Sequence, residues 1–226
     1  AAYGPEAVSA QAALNRPAFT NELVSAWLPA IPQVAARLAD PTIPTRVADL
    51  GCGAGWASIA LAQAHPHLRI DGYDADEASI AMARRNAAEA GVADRVRFEV
   101  RDLAEPAPDG PRYDVAFLFE CVHDFGYPER VLRTVRESLA ADGTLIVMDE
   151  AVDDRPVVPT EDPVQRFFAN VSPLWCLPQG RVDEGAHPVG TVMRPEALRE
   201  LAESAGFSGV DVLPIEHPFW RFYRLR

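Results

Sequence analysis

Lysine is missing from this 226-residue sequence: all 21 basic residues are arginines, against 33 acids, for a formal net charge of −12. Binding to a phosphate backbone rests on clustered cations, and no basic cluster of useful size occurs, so no nucleic-acid partner is expected. Cysteine is scarce. Cys52, Cys121 and Cys176 are odd in number, far apart and without C-x-x-C spacing. That argues against a disulfide framework or a zinc site and for free thiols in a reducing cytoplasm, the expected location. His, Asp and Glu show no metal-ligand spacing, so no metal is expected. No run approaches about 18 consecutive apolar residues, and no basic-then-apolar start marks a signal peptide; a membrane partner is not expected.

What is present fits one α/β domain. Short apolar runs alternate with helical patterns from Val47 to about Asp149, the mark of βαβ units on a parallel sheet. Strands are predicted at Arg46–Leu50, Leu68–Asp74, Val96–Arg101, Tyr113–Phe119 and Thr144–Asp149. Helices are predicted at Trp56–Ala64, Glu77–Ala90 and Pro128–Ala140, with Gly91 and Gly143 as left-handed stops. A helix at Arg194–Ala205, stopped by Gly206, precedes two strands, Phe207–Leu213 and Phe219–Leu225, that read as an antiparallel addition. Residues 1–45 read as an N-terminal helical segment in three pieces (Glu6–Leu14, Thr20–Leu28, Gln33–Ala39) separated by prolines. Residues 153–193 carry Pro156, Pro159, Pro163, Pro173, Pro178 and Pro188 among aromatic residues. So long a segment reads as a cap over the carboxyl ends of the strands, where open α/β sheets bind ligands.

The most specific stretch is Asp49-x-Gly51-Cys52-Gly53-x-Gly55, at the end of the first strand and the start of the first sheet helix. Glycine lets the backbone turn with φ > 0 and approach a ligand closely, and a helix N-terminus presents free N–H groups to the same spot. Asp74 ends the second strand about 20 residues later, where a carboxylate can hold both ribose hydroxyls. Asp102 and Leu103 follow the third strand and Glu120 the fourth.

This pattern resembles motif I and its partners in the class I S-adenosylmethionine (SAM)-dependent methyltransferases. The resemblance implies a Rossmann-like fold with a seven-stranded mixed sheet in the order 3-2-1-4-5-7-6, helices on both faces and the last strand antiparallel. It further implies SAM as cofactor and S-adenosylhomocysteine (SAH) as product, held by Asp49, Gly51, Cys52, Gly53, Gly55, Asp74, Ala75, Asp102, Leu103 and Glu120. In the family, the acid matching Asp74 binds the ribose, that matching Asp102 the adenine amino group. SAM carries a sulfonium and an ammonium, which suit carboxylates at Asp49 and Glu120 better than a pyrophosphate would.

Glu120-Cys121-Val122-His123-Asp124-Phe125 is similar to the H-D-W segment of small-molecule O-methyltransferases, with Phe125 in place of Trp. The resemblance implies that His123 is the catalytic base with Asp124 beside it, and that the family's later acid falls at Asp149 or Glu150. Histidine in this loop also fits plain packing against the cofactor, and Asp124 fits a turn cap. Phe19, Phe125, Phe168 and Trp175, with Trp27 and Phe167, are the candidates for contact with a flat or apolar small-molecule acceptor. His65, His67, His187 and His217 have weaker claims. The segments around Phe19, Phe167–Gly180 and the ending from Ile215 resemble those of methyltransferases that often carry an N-terminal winged-helix dimerisation domain. None is expected here, which leaves a homodimer open. The expected reaction is methyl transfer to O or N of a small molecule. The rivals are a protein methyltransferase and a SAM-binding regulatory protein without catalysis.

Overall fold

The computed structural model describes residues 3–106, 110, 112–155 and 159–226; Pro156 of the expected cap lies outside them. The chain opens with α1 (Pro5–Asn21), a π-type turn (Leu23–Trp27), a 3₁₀ turn (Leu28–Ala30) and α2 (Pro32–Ala39). β1 (Arg46–Leu50), α3 (Trp56–Ala64), β2 (Arg69–Asp74), α4 (Glu77–Glu89), β3 (Val96–Val100) and β4 (Tyr113–Phe119) follow as βαβ units. Next come α5 (Pro128–Ser138), β5 (Leu139–Glu150), α6 (Pro163–Val171), a π-type turn (Ser172–Cys176) and the single turn α7 (Leu177–Gly180). The chain closes with α8 (Pro195–Ser204), β6 (Val210–Val212) and β7 (Trp220–Leu225).

The strands form one seven-stranded sheet in the order β3-β2-β1-β4-β5-β7-β6. β1 to β5 pair in parallel, while β7 runs antiparallel to β5 and to β6, as the sequence predicts. Because the parallel strands are buried on both faces, β4 reads as a nearly unbroken apolar run. One core lies on the face covered by α1 to α4, around Leu61, Ile80 and Phe117. The other lies under α5 and α8, around Leu118, Leu132 and Leu198.

Three expectations are corrected. α1 runs unbroken through Pro17, where two helical pieces were expected. Proline removes an N–H and costs about 3 kcal/mol in a helix interior. The buried pair Ala18 and Phe19 just beyond it offsets that by docking on the core. Gly143 is not a helix stop: α5 ends at Ser138, and Gly143 lies inside β5, outside the left-handed region. A Cβ there would meet the Tyr113 carbonyl oxygen at 2.6 Å, so close passage of β4 is what requires glycine. β6 is shorter than expected, since Phe207 packs into the core before the strand begins. Gly91 and Gly206 are left-handed stops, at φ 70° and 91°.

Candidate active site

At the carboxyl ends of β1, β2 and β4 lies a cavity of ≈ 930 Å³. Its floor is the turn after β1. Gly51 and Cys52 donate their N–H groups to the Tyr73 carbonyl at 2.8 and 2.9 Å, which ties the turn to β2. Gly53, at φ 50°, donates to Asp74 Oδ2 at 2.9 Å, and Asp76 N–H donates to Oδ1 at 2.9 Å. Two amides thus fix the Asp74 carboxylate at the cavity wall, and burial raises its pKa. A Cβ on Gly53 would meet nothing within 4 Å, so the bare backbone borders open space.

Asp49 has a second task. Gly55 precedes α3 and has no side chain to cap it. From β1, Asp49 accepts the Ser58 N–H at 3.2 Å and its hydroxyl at 2.6 Å, supplying the missing cap. Burial pushes its pKa up to about 6 despite those bonds. Gly55 itself does not line the cavity: its φ is 78°, and a Cβ would fall on the Phe98 ring. Its positive φ and its closeness to Phe98 tie its place in the loop pattern to helix–strand packing.

Ala75, Asp102 and Leu103 line the cavity beyond Asp74, under β2 and β3. Asp102 Oδ1 accepts the Ala104 N–H at 2.8 Å. Glu120 follows β4 at φ 53°, the sole non-glycine residue in the left-handed region among those described. Such strain persists only where the surroundings enforce it. Here Glu120 N–H donates to Met148 O at 2.7 Å, Trp220 Nε1–H donates to Oε1 at 2.8 Å, and Asn15 Nδ2–H donates to Oε2. Burial drives its pKa to about 7 against those bonds. Asn15 and Trp220 carry no motif and were not foreseen.

His123 is buried, in a short 3₁₀ turn after β4. Its Nδ1 lies 2.5 Å from Asp149 Oδ1 and 3.1 Å from Glu150 Oε2; its Nε2 lies 3.3 Å from Asp124 Oδ1. The partner that orients the ring is therefore Asp149, at the end of β5, while Asp124 stands on the opposite side. Burial disfavours the imidazolium, but Asp149, Asp124 and Glu150 outweigh it and hold the His123 pKa well above its usual value. Burial alone would raise Asp149; the facing imidazolium holds it below the ordinary range. Glu150, also buried, is raised well above it. Chain spacing predicts no metal-type grouping, yet the fold gathers two: His123 with Asp124 and Cys176, and His123 with Asp149 and Glu150. The Nδ1–Asp149 hydrogen bond accounts for the second without an ion.

Phe19, Phe125, Phe167, Phe168 and Trp175 all line the cavity. Trp27 does not: it is buried among Phe19, Phe119, Trp220 and Phe222 and belongs to the core. Trp175 stacks on Tyr3 at 4.7 Å, and Tyr3 Oη donates to Leu174 O at 2.8 Å, so the segment just before α1 meets the π-type turn after α6. The segment after α7 braces the histidine loop, with Gly190 N–H on His123 O at 2.9 Å and His187 N–H on Gly126 O at 2.8 Å. The His187 ring is exposed beside Glu129. His217 accepts the Phe219 and Trp220 N–H groups at 3.1 Å and stacks on Trp220 at the cavity edge.

The donor set fits SAM: a bare loop at Gly53, a carboxylate fixed for a diol at Asp74, and buried acids at Asp49 and Glu120 whose raised pKa values a bound cation would reverse. Comparison with known proteins points the same way. Residues 48–145 match the family model described as a methyltransferase domain. The ubiquinone biosynthesis O-methyltransferase of Pseudomonas aeruginosa (strain UCBPP-PA14) is 26% identical over 182 residues, 80% of this chain and 72% of that protein. Among solved structures, an O-methyltransferase family protein from Burkholderia thailandensis aligns with TM-score 0.65 at 20% identity, over 93% of this chain and 59% of that one. NcsB1, an O-methyltransferase of neocarzinostatin biosynthesis solved with SAH and 1,4-dihydroxy-2-naphthoic acid, aligns with TM-score 0.60 at 21% identity, over 84% and 51%. The chain spans little more than half the length of these two solved relatives. The domain match falls on the strands that carry the glycine loop and Asp74, and the sheet order agrees: over residues 48–145 this chain is similar to methyltransferases, and it shares the fold of these solved O-methyltransferases.

Proposed function

We propose that the protein moves a methyl group from SAM to an oxygen, or a nitrogen, of a small aromatic or apolar molecule. The observation that carries this reading is one continuous cavity with the Gly53–Asp74 floor at one side and a buried His123–Asp149 pair, ringed by aromatic side chains, at the other. Asp74, Asp102, Glu120 and the Gly51–Gly53 turn would hold SAM, whose sulfonium supplies an electrophilic methyl group. The aromatic residues would hold the acceptor flat and keep water out; orientation of that kind is worth roughly 7–11 kcal/mol in favourable cases. α1 and residues 163–193 would act as the cap. A concave cavity lined by aromatic side chains supports a small acceptor over a protein side chain, which needs an extended groove.

His123 would receive the acceptor's proton at Nε2 while Asp149 holds Nδ1. In the free protein its neighbours raise the ring's pKa, so the neutral ring that can accept a proton forms at higher pH than for an ordinary histidine. Turnover is therefore expected to rise with pH along a limb displaced to the alkaline side of ordinary histidine. Asp149→Asn removes the largest stabilising charge and should move that limb to lower pH while lowering the maximal rate. SAH release is the readout, with a panel of phenols and amines. His123→Ala should lose about 10²–10⁴-fold in kcat with SAM binding intact; full turnover by this variant would end the base assignment. Unaltered SAM affinity in Asp74→Ala would end the ribose assignment.

A further inference from the structure

We infer that the acceptor this cavity takes is uncharged or cationic, and that aromatic acids carrying a free carboxylate are excluded. The inference rests on the methyltransferase reading above and deepens it.

Beside His123 the cavity is bordered by Asp124 and Glu150, with Asp149 behind the ring and Glu22 also in the lining. Among the described residues that line the cavity, Arg101 is the one arginine, and the sequence has no lysine. Arg101 follows β3, and its guanidinium lies over the Tyr73 ring at 5.2 Å. β3 and β4 are separated by β2 and β1, so their ends stand about 14 Å apart at three strand spacings. Arg101 thus serves the Asp102 side, beyond reach of a group held next to His123. Arg16, the one arginine of α1, has its guanidinium over the Trp56 ring at 4.3 Å. The His123 ring offers no free positive charge either, because Asp149 and Asp124 flank its two nitrogens at 2.5 and 3.3 Å.

A carboxylate brought in beside the aromatic residues would therefore lose its water and find acids, and no free cation, as neighbours. An unpaired charge so placed disfavours binding. Gln11, Gln179 and Thr191 are neutral, and His217 at the cavity edge accepts the Phe219 and Trp220 N–H groups at Nδ1 and has Glu22 Oε2 3.5 Å from Nε2. A hydroxyl or amide suits the neutral side chains, and an ammonium suits the acids.

Calorimetry on the SAH-loaded protein with three matched rings tests this: 2-naphthol, 6-hydroxy-2-naphthoate and 6-hydroxy-2-naphthylmethylammonium. The naphthoate is expected to bind roughly 100-fold more weakly than the naphthol, and the ammonium at least as tightly. In Gln179→Arg the naphthoate should recover at least about tenfold relative to the naphthol, because the missing cation has been supplied. Naphthoate binding within threefold of naphthol in the unaltered protein overturns the inference, as does failure of all three rings to bind. Failure of SAH itself to bind is a separate result and overturns the methyltransferase reading instead.

Discussion

Gly53 and Gly55 both sit at positive φ within one loop, yet their side-chain spaces differ completely. Alanine at either position pays about 1–2 kcal/mol for the left-handed backbone. At Gly55 it also overlaps Phe98, which adds about 1–3 kcal/mol of overpacking. Gly55→Ala should therefore lower Tm by about 5–10 °C while the remaining folded protein keeps its SAM affinity. Gly53→Ala should leave Tm much less affected and weaken SAM by at least about tenfold, since its methyl occupies the ligand's side of the turn. Thermal unfolding and calorimetry on the two variants separate the roles. The sequence pattern treats the two alike because a motif records that a backbone must turn, not what lies opposite. Asp74 was legible for the converse reason: the end of a strand fixes its position within one residue. Asp149 was only half legible. Its pairing with His123 spans 26 residues and depends on where two adjacent strands stop.

Among elements, the parallel strands and their helices were readable because periodicity and turn glycines agree there. α1 was not, because its helical state depends on docking, and Pro17 argued against continuity. Beside the buried Ala18 and Phe19, α1 is held on the site by Asn15 with Glu120 and by the Arg16–Trp56 contact, and Tyr3 just before it bonds Leu174 and stacks on Trp175. A hydrogen bond to a charged group contributes about 1.5–3 kcal/mol. Asn15→Ala should accordingly raise amide hydrogen exchange in α1 by at least about tenfold over that in the sheet, and SAH should suppress part of the increase. Unchanged exchange in α1 would mean that the helix is held by its apolar face alone. The same variant should push the Glu120 pKa further up, since it leaves a buried carboxylate with one donor fewer.

At the scale of the molecule, the sheet gathers carboxylates at one edge and leaves them short of counter-charge. Asp49 titrates near 6 and Glu120 near 7, both raised by burial from ordinary values of 3.8 and 4.5. A group whose folded pKa is raised stabilises the fold below its unfolded pKa and loses that contribution as pH climbs through the folded one. The free protein should thus weaken between about pH 4 and 7, each carboxylate accounting for about 3 kcal/mol at one pKa unit per 1.36 kcal/mol. A bound cation reverses the sign, because it favours the ionised forms. SAM affinity should consequently rise with pH over the range where the fold itself loses stability. With Glu120 required in its ionised form, binding at pH 6 should be about tenfold weaker than at pH 8. Glu120→Gln should flatten that dependence while stabilising the free protein near neutrality. Chemical denaturation with and without SAM, at intervals from pH 5 to 8, measures both curves at once. Parallel curves would mean that these acids face the cofactor without exchanging protons for it, and that their burial serves the packing of α1 and β7 alone.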